Sequence, residues 1–369
     1  MTNPSGGYNI THLTRTSGPL DLTRPYTPST LLGKTILITG GASGIGAALA
    51  HHWASHGAHI VVADISAAQG QALVSSLPGQ HHHFYPCDVT LWSDQVRLFR
   101  SAAASSPSGG IDAVVANAGI PERHVAMSGR GFEDPPDLDR DDAPPPGLEV
   151  LRTNLIGVTY TAHLAMYWLP RNGAGRDRHL LLVGSVAGIT PLPGQPEYCA
   201  AKHGVTGLWR ALSGGACPIR DGIRINLLLP YFTDTPLVPW KGMVFLAGGG
   251  WAEVRDVVEA GTRLMADEGA WGRALAVSAP VEVVGEGEGL EVEVVAPGKG
   301  GRREAVWEVM AGDYEQVEVF VWRFVRMMNT VVRIRGWVGW LGDVVRFAWF
   351  RRRAEERRDR ERETERKMT

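Results

Sequence analysis

The stretch that most constrains the fold is residues 34–57, where the short apolar run KTILIT leads through TGGASGIG into a helical pattern. The run has the length and composition of a buried strand, and GIGAALAHHWASHGA has the apolar spacing of a helix that closes near Gly57. Glycines at 40, 44 and 46 permit a tight turn and a close approach of the backbone to a pyrophosphate, which the free N–H groups of a helix N-terminus bind. A glycine loop alone is weak evidence, but its place between a strand and a helix predicts a nucleotide-binding unit.

The second strand, HIVVAD, ends in a carboxylate at Asp64, eighteen residues after Gly46. A carboxylate there can hold both hydroxyls of an adenosine ribose, and it repels a 2′-phosphate. No Arg or Lys lies in the glycine loop or directly after Asp64, so the sequence favours NAD over NADP. The alternative interpretation is a solvated aspartate at the end of a strand.

Strand and helix patterns continue to alternate as far as Pro230, which indicates βαβ units on a parallel sheet. The fold class predicted is α/β, a Rossmann-type doubly wound parallel sheet with helices on both faces, plus a C-terminal hairpin and helical extension. Ser93 is expected to cap the helix SDQVRLFRSAAAS. The further predicted strands are HHFYPCDVT, IDAVVANAG, HLLLVGS and IRINLLLP, and the further helices are AAQGQALVSSL, 148–169 and 199–212.

Four segments are predicted along the chain. Residues 1–30 are a flexible arm, and 31–280 form the NAD-binding catalytic domain, interrupted at 121–147 by an acidic, proline-rich surface loop. Residues 281–350 form a C-terminal extension that begins with a hairpin in VEVVGEGEGLEVEVV, and 351–369 form a solvated Arg/Glu tail.

Composition excludes several classes of protein. A formal net charge of −2 gives no general affinity for nucleic acid. Three cysteines without a C-x-x-C pair indicate neither a disulfide framework nor a zinc site, and we expect no metal. We prefer strand residues to a metal tract for His81–His83, and a structural thiol to a nucleophile for Cys199. No signal peptide and no apolar run of 18 residues is seen, so we expect a cytoplasmic protein.

The stretch GSVAGITPLPGQPEYCAAKHG places Ser185, Tyr198 and Lys202 at suggestive intervals. A tyrosine with a pKa of about 10 is too weakly ionised to be a good base at neutral pH. Lys202 lies one helical turn after Tyr198, on the same face, and its ammonium favours the phenolate. Ser185 can donate a hydrogen bond to a substrate oxygen. The alternatives are a half-buried helical tyrosine, a surface lysine and a capping serine.

Six motifs now stand in order: TGGASGIG, CDVT, ANAG, LRTN, the Ser–Tyr–Lys spacing and IRINLLLP. In this order they resemble the short-chain dehydrogenase/reductase family over residues 30–280. Within that family, PEYCAAKHGVTGL is most similar to the 15-hydroxyprostaglandin dehydrogenase type and to fungal secondary-metabolite alcohol dehydrogenases.

The resemblance implies roles for individual residues. Asn154, Ser185, Tyr198 and Lys202 would form the catalytic tetrad, with Asn154 holding a water that links Lys202 to solvent. The implied cofactor-binding residues are Gly40, Ser43, Gly44, Ile45, Gly46, Asp64, Asp88, Val89, Asn117, Ala118, Gly119, Tyr198, Lys202, Pro230, Thr233 and Thr235. Family members usually pair through the long helix and the Tyr198 helix, which implies a homodimer or homotetramer.

Two positions depart from the family pattern. The usual Pro-Gly after the sixth strand is Pro230-Tyr231, and a bulky tyrosine there changes the local backbone and the wall beside the nicotinamide. The usual Asn-Asn-Ala-Gly begins with Ala116, a milder change. Neither departure removes a catalytic group.

The predicted substrate wall consists of Ile189, Gln195, Tyr231 and Phe232. It is largely apolar with one amide, which suits a lipophilic alcohol or ketone better than a sugar. Gln195 could instead pair with backbone. In the C-terminal extension, a helix is predicted between Tyr314 and Arg333, with Arg323, Arg326, Asn329 and Arg333 on one polar stripe. This Trp- and Arg-rich extension either docks on protein surface or makes a peripheral membrane contact.

The sequence therefore predicts an NAD-dependent oxidoreductase that interconverts a lipophilic secondary alcohol and its ketone, with Tyr198 as the general acid/base. The alternative, motivated by Tyr231 and the acidic insertion, is a catalytically weak NAD-binding scaffold or a membrane-associated interaction protein that retains the fold.

Overall fold

Helices and mainly parallel strands make up the described part of the chain. The computed structural model describes residues 16–122, 132, 135, 138–143, 145–215, 221–238, 250–284, 293–295, 301–311 and the single positions 327, 330, 334, 337 and 345. They fall in two units, Met1–Gln316 and Val317–Thr369. The five single positions are the described part of the second unit, and all five are helical.

Nine strands form one sheet in the first unit. In spatial order β3-β2-β1-β4-β5-β6-β7 they are parallel neighbours, and β8 and β9 both pair antiparallel with β7. The strands are β1 Thr35–Thr39, β2 His59–Asp64, β3 His83–Pro86, β4 Ala113–Ala116, β5 His179–Val183, β6 Arg224–Pro230, β7 Ala274–Val284, β8 Glu293–Val295 and β9 Arg302–Val309.

Among the described residues, six helices connect these strands. Helix α4 has three parts, Glu149–Leu151, a π-helical stretch Arg152–Gly157 and Val158–Trp168. The others are α1 Gly44–Ser55, α2 Ala67–Ser76, α3 Trp92–Ser105, α5 Pro196–Ser213 and α6 Val254–Ala266. Short 3-10 helices lie at Pro28–Leu31, Leu169–Arg171 and Val186–Gly188.

Each face of the sheet is covered by its own hydrophobic core. Ile36 and Ile38 of β1 point to a cluster that contains Trp53 of α1 and Leu264 of α6. Leu37 points to the opposite cluster, with side chains of α3, α4 and α5. Because both faces are buried there, the central parallel strands β1, β2, β4, β5 and β6 have nearly continuous apolar sequences rather than alternating ones. The predicted doubly wound α/β fold is confirmed.

Two predicted helix starts differ from the structure. The N-cap of α3 is Leu91 rather than Ser93, because the chain already turns at Asp88, whose carbonyl accepts the Leu91 N–H at 3.0 Å. Helix α5 begins at Pro196 instead of Cys199. The fixed φ of proline suits the first helical position, and because a backbone N–H at this position would have no partner within the helix, proline loses no hydrogen bond there.

The predicted boundary of the catalytic domain at residue 280 does not coincide with the boundary between the two units. Residue 280 is inside β7, and β9 pairs along β7 from Ala274↔Val309 to Val283↔Arg302, with an irregularity between Val277 and Val281. The hairpin predicted in this region is confirmed, since Val283 of β7 pairs antiparallel with Val294 of β8. Residues up to Gln316 therefore belong to the same unit as the parallel sheet.

The described part of the N-terminal arm is docked on this unit rather than loose. The Ser17 N–H donates to Trp271 O at 3.0 Å, and the Tyr26 hydroxyl donates to Glu259 at 2.6 Å. The predicted polar stripe at 323, 326, 329 and 333 and the tail 351–369 lie outside the described residues. Within the described part of the chain, no helix is long and apolar enough to span a membrane.

Candidate active site

The carboxyl ends of β1 and β4 meet where the order of connections reverses, and the glycine turn lies at this point. Gly40 has a φ of +61°, and a Cβ there would lie 2.6 Å from Ala118 Cα. A Cβ at Gly46 would lie 2.5 Å from the carbonyl oxygen of Gly40. These positions hold a turn that only glycine fits, directly before the free N–H groups of α1. The turn therefore fits the pyrophosphate of a dinucleotide.

Asn117 joins the ends of β4 and β1 below this turn. Its side-chain Nδ2 donates to Thr39 O at 3.0 Å and to Gly40 O at 2.8 Å. The backbone N–H groups of Asn117 and Ala118 donate to Thr39 Oγ1 at 3.2 and 3.4 Å. The Asn117 side chain therefore fixes carbonyls at the start of the glycine turn, whereas the backbone N–H groups of Asn117 and Ala118 hold the Thr39 hydroxyl.

Four more predicted cofactor residues lie around the turn. Ser43 is the N-cap of α1. Gly44, at a φ of +53°, approaches Thr235, whose Cβ would be 3.4 Å from a Cβ at Gly44. Thr235 in turn donates to Thr233 O at 3.3 Å. The segment after β6 is therefore brought against the N-terminus of α1.

The carboxylate of Asp64 lies beside the turn, as the ribose prediction requires. Its Oδ2 accepts the Ala42 N–H and its Oδ1 accepts the Ser66 N–H, both at 3.0 Å. Asp88 is arranged differently, because its Oδ1 accepts both the Thr90 N–H at 2.9 Å and the Thr90 hydroxyl at 2.7 Å. Val89 is buried.

Ser185, Tyr198 and Lys202 meet at the carboxyl ends of β5 and β6. Ser185 follows β5, its hydroxyl donates to Pro230 O at 3.3 Å, and its side chain lies close enough to the Tyr198 phenol to lower the pKa of that group. Tyr198 and Lys202 share one face of α5, and the Lys202 Nζ lies 5.6 Å from the centre of the Tyr198 ring. That ammonium donates to Val183 O at 3.2 Å. The structure brings the three predicted side chains together.

Burial shifts the pKa values of both Tyr198 and Lys202. It raises the pKa of Tyr198, and the hydrogen bond with Ser185 opposes that rise. It lowers the pKa of Lys202 to about 8, since a charged ammonium is poorly solvated there. The lowering of the tyrosine pKa expected from the sequence is not seen in the chain by itself, because the cost of burying a phenolate exceeds the effect of its neighbours.

Asn154 is fully buried in the π-helical part of α4 and binds the loop that follows β4. Its Oδ1 accepts the Ile120 N–H at 2.8 Å, and its Nδ2 donates to Ile120 O at 2.9 Å. A Cβ at Gly119 would lie 3.3 Å from Asn154 Oδ1, so Gly119 lets the loop approach. π-Helical turns are frequent at functional sites because they redirect a side chain.

The predicted substrate residues lie at different places around the sheet. Ile189 packs against the core on the α3–α5 face of the sheet and lines an open groove of about 520 Å³ formed by residues between 189 and 203. Gln195 directly precedes α5 as its N-cap. Tyr231 instead packs against the opposite core, with its ring edge-on to Phe232 at 5.0 Å.

The tyrosine at position 231 is accommodated without backbone strain. Among the described residues, the non-glycine residues with positive φ are His81 and Met310. Tyr231 therefore does not need the left-handed conformation that its usual glycine permits, and its N–H donates to Val277 O at 2.8 Å.

Two buried glutamates at the site were not predicted. Glu122 accepts the Tyr198 N–H at 3.0 Å, and Glu197 accepts the N–H groups of Val150 and Leu151 at 3.1 Å. The sequence places Glu122 in the predicted surface loop 121–147, because the residues that follow it are acidic and rich in proline. Glu197, in the first turn of α5, carried a visible signal, since acidic residues favour helix N-termini.

The histidine tract is part of the scaffold. His82 has both ring nitrogens hydrogen-bonded to the main chain, with Nδ1 accepting the Ile60 N–H at 3.1 Å and Nε2 lying 2.9 Å from Pro78 O. These contacts favour the structural interpretation of the tract.

Comparisons with known proteins identify the family. The family model for short chain dehydrogenases matches residues 34–241. The chain is 38% identical to the 5'-hydroxyaverantin dehydrogenase of Dothistroma septosporum over 267 residues, which is 67% of this chain and 85% of that protein. It is 31% identical to the NADP-dependent dehydrogenase M3 of a Phoma species over 66% of this chain and 74% of that protein.

Two further proteins resemble the chain more distantly. The mouse 15-hydroxyprostaglandin dehydrogenase [NAD(+)] is 30% identical over 56% of this chain and 70% of its own length. The crystal structure of the 3-ketoacyl-(acyl-carrier-protein) reductase from Brucella melitensis complexed with NADH superimposes with a TM-score of 0.56, at 26% identity, over 67% of this chain and 97% of that one. The resemblance expected from the motifs is confirmed: the chain belongs to the short-chain dehydrogenase family and is an oxidoreductase that acts on CH–OH groups.

Proposed function

We propose that this chain interconverts a lipophilic secondary alcohol and its ketone with NAD, using Tyr198 as the general acid/base. The observation that carries the proposal is the meeting of the Tyr198 phenol with the Ser185 hydroxyl and the Lys202 ammonium at the carboxyl ends of β5 and β6. These groups lie at the edge of the sheet where α/β folds bind their ligands.

In alcohol oxidation, the Tyr198 oxygen accepts the hydroxyl proton while a hydride leaves the same carbon. NAD, when bound, supplies the acceptor for that hydride. The Ser185 hydroxyl orients the substrate oxygen, and the Lys202 charge favours the phenolate. In ketone reduction, Tyr198 returns the proton to the oxygen. Because burial raises the Tyr198 pKa, the phenol that reduction needs is already the main form at neutral pH, whereas the phenolate that oxidation needs becomes more abundant as the pH rises. Oxidation is therefore expected to accelerate with rising pH.

The choice of NAD rests on Asp64. Its carboxylate is held at the end of β2 by two backbone N–H groups, and the glycine loop and the residues directly after Asp64 contain no cation that would bind a 2′-phosphate. An anion in this position supports a free ribose hydroxyl over a phosphate. One relative, the dehydrogenase M3, is named as NADP-dependent, so the proposal requires that this chain bind NAD more tightly than NADP.

A lipophilic secondary alcohol is supported by the groove near the site and by the relatives. The groove is lined mainly by apolar side chains, including Ile189 and Leu192, with three prolines at 191, 193 and 196. The relatives are named for 5'-hydroxyaverantin and for 15-hydroxyprostaglandin. Both names specify a hydroxyl group on a larger molecule.

The alternative of a scaffold without turnover rested on Tyr231 and on the acidic insertion. Tyr231 has no strained backbone and packs against the core opposite Ile189. The main motivation for a lost activity is therefore removed. The membrane alternative concerns the second unit and is a separate proposal, whose test is binding of the full chain to anionic phospholipid vesicles.

We also propose that the protein is a homodimer or homotetramer. Outer positions of α4 expose large apolar side chains, with Ile156 at 41% and Tyr167 at 51% exposure. Light scattering of the full chain measures the assembly directly, and a monomer at micromolar concentration contradicts the proposal.

The proposed reaction is tested with Tyr198→Phe, which removes the hydroxyl and keeps the ring. Wild type is expected to form NADH from members of a panel of lipophilic secondary alcohols that includes 5'-hydroxyaverantin. Tyr198→Phe is expected to lose turnover by on the order of 10³-fold while binding NAD as wild type does. Tyr167→Phe, which alters an exposed tyrosine on α4, is the matched control. Turnover that survives in Tyr198→Phe rules out the proposed acid/base.

A further inference from the structure

Glu122 and Glu197 are two buried glutamates that cap the helices carrying the proposed catalytic side chains. Each is 8% exposed. A carboxylate so enclosed requires hydrogen-bond donors to offset its loss of water. Among the described contacts, the donors to these carboxylates include backbone N–H groups in the first turns of α4 and α5, which have no partners within their own helices.

Glu122 caps α5 at the catalytic residue itself. The Tyr198 N–H lies in the first turn of that helix and donates to Glu122 Oε2 at 3.0 Å, across 76 residues of sequence. The local N-cap, Gln195, makes no side-chain capping hydrogen bond. A distant carboxylate therefore performs the task that a Ser, Thr, Asp or Asn at the cap usually performs.

The loop that carries Glu122 is itself anchored to the cofactor turn and to α4. Asn117, five residues earlier, donates to Thr39 O and Gly40 O. Ile120, two residues earlier, exchanges two hydrogen bonds with Asn154. Glu122 thus connects the backbone of Tyr198 to the same loop that binds Asn154.

Glu197 completes the connection in the opposite direction. It directly precedes Tyr198 on α5, and its Oε1 accepts the N–H groups of Val150 and Leu151 at 3.1 Å each. Those residues form the first turn of α4, and Asn154 lies one turn further along. The loop after β4, α4 and α5 are therefore joined pairwise, each to the other two.

We propose that Glu122 and Glu197 are positioning residues that hold Tyr198 and Asn154 in register through this closed set of contacts. The inference rests on the proposed role of Tyr198 as acid/base. Neither carboxylate reaches the substrate in this mechanism; both act through the backbone of a helix. Because a displacement of about 1 Å can cost about 100-fold in rate, loss of either cap lowers kcat more than it lowers binding.

The experiment compares alanine, glutamine and aspartate at position 122, and alanine and glutamine at position 197. Glutamine keeps an acceptor oxygen at the same reach, whereas aspartate keeps the charge and withdraws it by one methylene. The control is Glu308→Ala, because Glu308 is a buried carboxylate of β9 that pairs with Arg273 and lies outside the site. Each variant is assayed for kcat, KM for the alcohol and Kd for NAD, below its measured unfolding midpoint.

The expected result is a fall in kcat of about 10- to 100-fold for Glu122→Ala and Glu197→Ala, with KM and Kd changed by less than about threefold. The glutamine variants should recover kcat to within about threefold of wild type. Glu308→Ala should unfold more easily and keep its kcat. The double alanine variant should resemble the worse single variant, because both caps support one arrangement.

Three results would overturn the inference: wild-type kcat in Glu122→Ala, equal losses in the alanine and glutamine variants, or single losses that multiply in the double variant. If Glu122→Ala does not fold, Glu122→Asp decides, since a wild-type kcat with the carboxylate withdrawn excludes positioning. The rate of amide hydrogen exchange at residues 196–200 measures how well the first turn of α5 is capped, and it needs no activity assay. This rate should increase in Glu122→Asp.

Tyr198→Phe is measured in the same series to separate the two claims. If Tyr198→Phe is inactive and Glu122→Ala has wild-type kcat, the positioning role fails and the acid/base stands. If Tyr198→Phe remains active, the acid/base fails, and the positioning role through Tyr198 fails with it.

Discussion

The Asp64 carboxylate accepts the backbone N–H of Ala42 at 3.0 Å, so the residue that ends β2 also fixes the glycine turn after β1. Its other oxygen accepts the Ser66 N–H at the same distance. The carboxylate is therefore oriented from two sides before any dinucleotide binds. A preoriented anion costs less entropy on binding than a mobile one.

Asp64→Asn tests the charge while keeping one acceptor oxygen for the turn. We expect NAD to bind about tenfold more weakly and the preference for NAD over NADP to shrink, because the anion that repels a 2′-phosphate is gone. Fluorescence titration with both dinucleotides measures the ratio of Kd values. Asp139→Asn, on an exposed aspartate of the insertion, should leave the ratio unchanged. An unaltered ratio in Asp64→Asn means that this carboxylate does not select the cofactor.

Gly46→Ala should abolish dinucleotide binding. The added Cβ would lie 2.5 Å from Gly40 O, in the turn that fits the pyrophosphate, and 2.7 Å from Asn117 Nδ2, which donates to that carbonyl. The matched change is Gly207→Ala in α5, where a Cβ meets no atom within 4 Å. That variant should keep binding and gain about 0.5–1 kcal/mol of stability, because alanine favours a helix over glycine. NAD titration and thermal unfolding of both variants check the contrast.

Lys202→Met should change how stability depends on alkaline pH. Burial lowers the pKa of Lys202 from 10.5 to about 8, so between these values the unfolded chain holds a proton that the folded chain has lost. The free energy of unfolding of wild type therefore rises with pH across this window. Relative to Lys202→Met, the rise should reach about 3 kcal/mol. Urea unfolding from pH 8 to 10.5 measures it, and a constant difference contradicts it.

His179 should make the fold sensitive to acid. Its ring is fully buried, where the Asn226 Nδ2 lies 3.1 Å from its Nε2, and burial lowers its pKa well below 6.5. Below pH 6.5 the unfolded chain binds a proton that the folded chain excludes, so stability falls by up to about 1.4 kcal/mol per pH unit.

In His179→Leu this acid dependence should flatten, whereas in His203→Gln, a change at an exposed histidine of α5, it should not. Urea unfolding at pH 7, 6 and 5 provides the comparison. A slope in His179→Leu equal to that of wild type would show that the acid sensitivity has another source.

A neighbouring ion pair adds to the acid dependence. Burial opposes ionisation of Asp177, but Arg224 at 2.6 Å and Lys34 at 2.8 Å reverse this and hold its pKa well below 3.8. Its stabilising effect is complete above pH 3.8 and is lost as the pH falls further. The two acid effects therefore occupy different ranges of pH, with His179 acting first.

The sequence determined those features whose cause is local. The strand KTILIT, the glycine turn and helix α1 follow from composition and from steric limits within a dozen residues, and the parallel sheet follows from repeating that unit. Of Ser185, Tyr198 and Lys202, the last two are related by an equally local cause, because a helix places residues four positions apart on one face. The placement of each of these groups in the structure agrees with the pattern.

The tertiary structure decided what depends on long-range contacts. From sequence, Glu122 is part of an acidic loop and Tyr231 is a bulky replacement for glycine. In the structure Glu122 caps the helix of Tyr198, and the partly buried Tyr231 packs against the core opposite Ile189. The protonation of Tyr198 was also beyond sequence, because it depends on burial by several elements at once. Steric limits act between neighbouring residues and can be inferred from sequence. The burial of Tyr198 and the capping of its helix by Glu122, 76 residues away, exist only after the chain has folded.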